Sequence, residues 1–267
     1  MFTNYDSKVE ESEKVCYDEK LGTYVVNPEI LSSIKGLYYY PDFVNDSEQN
    51  DIVDLIDSNP WHHVIRRRQQ FYGDIYYHTK CDSTDLQPKD KIVNLPMEKF
   101  KWLLQRCIDN NHFGADPNYH PDQVLVNEYL KSAGISSHFE DVNAFGPVIV
   151  TISLVKPIWI TLKKPYHHIN SCQEIVKLCR ILLQPKSCFI MSEEVRYEWR
   201  HGITKKIKIP VGLNEDDIVV RDESYRRLSL TIRKLLDGRK RVEKSDTEWV
   251  DVENMDHLKG EICTHCK

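Results

Sequence analysis

The chain has 267 residues and a mass of 31.5 kDa, which is room for one large domain or two small ones. Its 40% hydrophobic and 29% charged residues, with 10 Gly and 12 Pro, exclude a chain disordered throughout and a collagen-like or mucin-like one. The net charge of -5 is unevenly spread: up to Pro60 there are 13 acidic residues against 4 basic, a balance of -9, so the remainder carries +4, and a basic body can bind nucleic acid locally whatever the global charge.

In chain order, residues 1–30 read as a polar extension with no apolar stretch that would make a secretory signal. The run Gly36–Val44 (GLYYYPDFV) predicts a strand and a turn. The next run (NDSEQNDIVDLIDS) predicts a helix, capped by Asp46 or Ser47, with Ile52, Val53, Leu55 and Ile56 on one face. Arg66–His78 is basic and aromatic, with strand or long-loop character. Met97–Asn110 is the strongest amphipathic helix, with Phe100, Leu103, Leu104, Cys107 and Ile108 at helical spacing. From Asp122 the pattern changes to short β-type runs such as QVLVNEYL, PVIVTISLV and RRLSLTIRKL, separated by Gly, Pro and Asn. N-terminal helices followed by many short strands predict a mainly β fold, a sandwich or barrel with helices packed on one side. The charged stretch 237–267 reads as a tail, which leaves one domain over 31–236.

No apolar run reaches the ~18–20 residues of a membrane helix, so no membrane partner is expected, and the chain is expected in the cytoplasm, the nucleus or both, as a monomer. The eight cysteines read as free thiols. Cys263, His265 and Cys266 make at most half of a zinc site.

Three pieces carry chemistry. Asn127 and Tyr129 lie one strand period apart, so an amide and a phenol share a face. His138 and Glu140, also two apart, share a face if the chain is extended there. With the later His201 they supply two imidazoles and a carboxylate, the ligand set of a non-haem Fe(II) oxygenase, with coordination positions left open. In RRLSLTIRK, Arg227, Ser229, Thr231 and Arg233 face one side of a strand. Two guanidinium groups on an inward face need an anionic ligand or acidic partners, and the planar fork of arginine suits a carboxylate.

The stretch Asp122–Lys234, with NEY, SSHFED, YEWRHGI and RRLSLTIRK in that order, resembles the AlkB family of Fe(II)/2-oxoglutarate dioxygenases. Weaker likeness reaches back to YYYPDF. The resemblance implies a double-stranded β-helix, or jelly roll, with N-terminal helices. It implies Fe(II) held by His138, Glu140 and His201, and 2-oxoglutarate held by Asn127, Tyr129, Arg227, Ser229 and Arg233, with the distal carboxylate on Arg227 or Arg233. It also implies a substrate lid over Arg66, Arg67, Arg68, Gln69, Phe71 and Tyr72, where basic groups and interleaved rings suit phosphate contact and base stacking. Glu140 is a departure, since the family has aspartate there. The longer side chain either ligates iron with a small shift, ligates it weakly or leaves the site dead. Pro210–Ser224 is an acidic, insertion-like stretch that reads as a loop able to narrow the active-site mouth.

Three functions follow from the resemblance. The first is oxidative demethylation or hydroxylation of an alkylated or modified base in tRNA or DNA. The second is oxidation of a protein substrate. The third is a binding module that has lost iron through Glu140.

Overall fold

The computed structural model describes residues 14–63, 67–73, 93–167 and 174–236. Its strands begin with β1 (Val15–Asp18), β2 (Thr23–Val26), β3 (Leu37–Tyr40), β4 (Arg68–Gly73) and β5 (Asn94–Leu95). They continue with β6 (Gln123–Leu130), β7 (Ile135–His138), β8 (Phe145–Leu154), β9 (Ile158–His167) and β10 (Glu174–Leu183). The last are β11 (Cys188–Met191), β12 (Arg200–Ile203), β13 (Lys208–Pro210), β14 (Ile218–Val220) and β15 (Arg226–Leu235). The helices are α1 (Pro28–Ser32), α2 (Asp46–Asp57), α3 (Lys101–Asp109) and α4 (Glu193–Glu198). A 3-10 turn, Met97–Phe100, leads into α3. None of the described helices is long and apolar enough to cross a membrane.

Two sheets are built from these strands. A seven-stranded sheet runs β3-β11-β8-β15-β6-β4-β5, and a six-stranded sheet runs β1-β2-β10-β9-β12-β7. All their pairings are antiparallel except β4 with β5. Strand alternation divides the larger sheet into two faces. Its outer face carries Val124, Val126, Val150, Ile152, Leu154, Leu228, Leu230 and Ile232. These pack with Ile52 and Ile56 of α2 and Leu103 and Cys107 of α3 in one buried cluster. Each fully buried aliphatic side chain there contributes ~1.5–3 kcal/mol relative to exposure. At the far end the inner face joins the six-stranded sheet through Ile149, Phe189 and Met191 against Ile160, Leu162, Cys179 and Ile181. Two antiparallel sheets, one carrying the helices outside, is the jelly-roll arrangement expected from the sequence.

Four expectations change. The polar extension expected over 1–30 gives way at Val15 to β1 and β2, which join the six-stranded sheet through β10. Val25 is fully buried, and the Thr23 hydroxyl donates to Leu182 O at 2.7 Å. The cap of α2 is Asn45, one residue earlier than expected. Its side chain accepts from the Glu48 amide while Glu48 reaches back to the Asn45 amide, a closed capping box. The stretch 210–224 is not simply a loop, because β14 pairs with β13 in a two-stranded sheet. Helix α4 had no counterpart in the sequence reading. Arg66, residues 74–78 of the basic-aromatic run and the tail 237–267, with Cys263, His265 and Cys266, lie outside the described residues.

Candidate metal and co-substrate site

Strands β7 and β12 pair with His138 directly opposite His201, and the two imidazole rings lie 4.4 Å apart at their centroids. Gly202 lets the strands come this close. A Cβ there would stand 3.0 Å from the backbone of Ser137 and from Ile135 O, tighter than a side chain accepts without a shift. Strand β7 ends at His138, so Glu140 reaches in from the following turn and not from a shared strand face. Even so, the ligand atoms of His138, Glu140 and His201 all lie within 4.8 Å of one another.

The two oxygens of Glu140 have different neighbours. Oε2 accepts from Arg233 Nη1 at 2.6 Å, and Oε1 lies 3.8 Å from His201 Nε2. The longer acid therefore keeps one oxygen on the histidine side while the other is held in place. Nδ1 of His138 sits 2.8 Å from Ser136 O. A carbonyl only accepts, so Nδ1 is the donor in this bond. Burial pushes the His201 imidazole down to about 3, helped by His138 and opposed by Glu140. Burial alone would raise the Glu140 carboxyl, but Arg233, His201, His138 and Arg196 bring it down to about 2. Two imidazoles and one charged carboxylate on a common side are the donors a ferrous ion takes, with its other side left for ligands.

Arg196, absent from the sequence reading, fixes the turn that carries Glu140. It is buried on α4 and donates to the carbonyls of Glu140 at 2.8 Å, Asp141 at 3.2 Å and Phe145 at 3.3 Å. Asp141, the neighbouring acid, is turned away and accepts from the Asn143 amide at 2.8 Å.

The inner face of the seven-stranded sheet supplies the wall beside these three groups. Gln69, Asn127, Ser229 and Ser153 form one row across β4, β6, β15 and β8. In the next row Tyr129 stands opposite Arg227. Gln69 donates to the Asn127 side-chain oxygen at 2.8 Å. Arg227 is buried; its Nε donates to Ser153 Oγ at 3.0 Å, and its carbon Cζ lies 5.1 Å from the Tyr129 ring centre. Its Nη1 is buried without a hydrogen-bond partner. A buried guanidinium ringed by hydroxyls and phenols and left with a free N–H is suited to a carboxylate. Arg233 is different: it donates to Gln123 at 2.6 Å, pairs with Glu140 and stacks over Phe145 at 3.6 Å. Arg233 is thus occupied by Gln123 and Glu140, while Arg227 keeps a buried N–H without an acceptor.

The expected lid residues divide by strand parity. Arg68 faces outward, paired with Glu128 and stacked 4.7 Å from the Trp61 ring. Tyr72 is buried in the helix-side core, with its hydroxyl 2.9 Å from Gln70. Neither offers a face to a base, which corrects their place in the lid. Phe71 is buried on the inner face, edge-on to His62. Arg67 and Gln69 turn toward Tyr129 and Asn127. The alternation of RRQQFY was the signal that separates the two groups. Read as a basic patch, the run hides it.

The family model described as 2OG-Fe(II) oxygenase superfamily matches residues 36–233. The "Alkylated DNA repair protein ALKBH8 homolog" of Arabidopsis thaliana is 28% identical over 214 residues, covering 76% of this chain and 59% of the relative. The "tRNA (carboxymethyluridine(34)-5-O)-methyltransferase alkbh8" of Xenopus tropicalis is 28% identical over 189 residues, covering 68% of this chain and 27% of the relative. The chain thus spans little more than half the length of the first and about a quarter of the second. The solved structure of OsALKBH1 covers 74% of this chain at 16% identity, with a TM-score of 0.46.

Proposed function

The chain belongs to the 2OG-Fe(II) oxygenase superfamily as an AlkB-like member, and from that premise we propose that it oxidises an alkylated or modified base in tRNA or DNA. The superfamily uses Fe(II) and 2-oxoglutarate. The observation that carries the reading is the convergence of His138, Glu140 and His201 beside the carboxylate-seeking Arg227. Support for a nucleic acid substrate comes from the relatives, one named for alkylated DNA repair and one for methyl transfer to carboxymethyluridine(34) of tRNA. The exposed cations Arg200, Lys205 and Lys206, on and just after β12, suit contact with a phosphate backbone.

His138, Glu140 and His201 would hold the iron. Bound iron, with 2-oxoglutarate and O₂, supplies the oxidising power for a substrate C–H bond. The chain's own residues do the rest. Arg233 keeps the Glu140 carboxylate ionised and holds one of its oxygens. Arg196 fixes the backbone on which Glu140 sits. The Ser136 carbonyl orients the His138 ring. Asn127, Tyr129, Ser229 and Arg227 bind and orient the dicarboxylate against the sheet wall, where burial excludes water. Oxidised at an N-methyl group, the base would lose formaldehyde; oxidised on a uridine side chain, it would keep the hydroxyl.

The test incubates the purified full chain, Fe(II) and 2-oxoglutarate with unmodified and alkylated oligonucleotides and with total tRNA, followed by mass spectrometry of the nucleosides. The expected result is succinate formation together with a mass change in one nucleoside class. Succinate formation stimulated by protein extract and by no nucleic acid points to the protein-directed reading. No metal retention, restored by Glu140→Asp, would show a decayed site.

A further inference from the structure

Around Tyr129 the inner face holds more positive charge than one carboxylate requires. The pairing of Arg68 with Glu128 and of Arg227 with Tyr129 sets Arg67 on one side of Tyr129 and Arg227 on the other. Their guanidinium carbons lie 5.7 Å and 5.1 Å from the ring centre. Arg67 Nη1 donates to Gly134 O at 3.2 Å, while Nε, though buried, has no hydrogen-bond partner, the same condition as Arg227 Nη1. A third guanidinium, Arg221, lies over Tyr225 and donates to Thr204 O at 2.9 Å and to Ala133 O; its buried Nε also lacks a partner. Among the described residues none of the three is ion-paired with a carboxylate. Buried guanidinium N–H groups left without acceptors, in a cluster of like charge, are costly unless an anion completes them.

We propose that Arg67 is a second guanidinium for the distal carboxylate of the dicarboxylate co-substrate, and that it makes the site selective for a two-carboxylate ligand. The carboxylate would lie over Tyr129 between Arg67 and Arg227, accepting from the Nε of the first and the Nη1 of the second. This rests on the co-substrate reading above and gives Arg67 a role that the sequence had assigned to the nucleic acid. It also places a co-substrate contact one residue before β4, the strand that carries part of the expected lid. Emptying the co-substrate site then leaves Arg67 held by a single carbonyl.

The experiment titrates 2-oxoglutarate into the full chain loaded with Mn(II), which binds without turnover, for wild type, Arg67→Gln and Arg67→Lys. Mn(II) affinity and thermal stability are measured alongside. The inference predicts that Arg67→Gln weakens 2-oxoglutarate binding ~10-fold or more, with Mn(II) affinity and stability unchanged and lysine recovering part of the loss. It also predicts that affinity for 2-oxobutyrate, which lacks the distal carboxylate, does not change. Wild-type affinity for 2-oxoglutarate in Arg67→Gln overturns the inference, and so does equal weakening toward both oxoacids. Weakened binding of single-stranded RNA with co-substrate binding intact would return Arg67 to the substrate side. A wild-type protein that binds Mn(II) but no 2-oxoglutarate would remove the co-substrate reading itself, and this inference with it.

Discussion

On the outer face of the seven-stranded sheet, Arg68 and Arg226 converge on Glu128, whose side chain is fully buried, and Arg226 holds Asp57 as well. On the inner face, Arg67 and Arg227, their neighbours in the chain, meet tyrosine rings, hydroxyls and a carbonyl, and each keeps a buried N–H without an acceptor. The residue type and the strands are shared; what differs is the presence of a carboxylate. Where the acid is supplied by the fold, the arginines tie α2, β4, β6 and β15 together. Where it is not, the arginines are a liability to the empty protein and an asset to one that binds a dicarboxylate.

The largest effect should come from breaking the outer set. Glu128→Ala removes the buried acid shared by two partly exposed guanidinium groups, leaves Arg226 with Asp57 alone, and should cost about 1.5–3 kcal/mol of stability, read by denaturant unfolding. Next, Arg227→Met should weaken 2-oxoglutarate binding on the order of 100-fold or more yet leave the melting temperature unchanged or higher, because it removes a buried charge that no carboxylate pairs. A fall in stability like that of Glu128→Ala would erase the distinction between the faces. A smaller effect is expected at the edge of the outer cluster: Asn45→Ala removes the capping box of α2 and should cost about 1 kcal/mol, with co-substrate affinity untouched.

The smallest effect is a pH dependence. The bond from Arg226 holds the Asp57 carboxyl below its usual range. A folded-state value below the unfolded one means the contribution is present above about pH 4 and fades as pH falls through the folded value. Asp57 is nearly half exposed, so the contribution is no more than about 0.5 kcal/mol. Arg226→Met should flatten the acid side of the stability profile by that amount.

Much of this site is legible in the chain because strands alternate. RRLSLTIR carries Leu228, Leu230 and Ile232 to the helix side and Arg227, Ser229, Thr231 and Arg233 to the site, and the period of two is enough to say so. The same period, applied to RRQQFY, separates Arg67, Gln69 and Phe71 from Arg68, Gln70 and Tyr72. Composition alone merges the two sets into one basic-aromatic run and hides the two faces. Arg196 was beyond reach for another reason: it acts on main-chain carbonyls, which every residue has, so no partner in the sequence betrays it. The cap of α2 was displaced because Asn, Asp and Ser all suit that position, and only Glu48, three residues after Asn45, decides among them. Strands β1 and β2 are four residues each within polar surroundings, and what holds them is the edge of β10, a long-range pairing with no local signal.

The central claim is that His138, Glu140 and His201 hold one ferrous ion beside a dicarboxylate seated on Arg227. The most direct measurement is an anaerobic titration with Fe(II) and 2-oxoglutarate, followed by visible absorption. The account predicts a charge-transfer band that needs both components and disappears in Glu140→Ala. A wild-type protein that shows no band with both components present would contradict it.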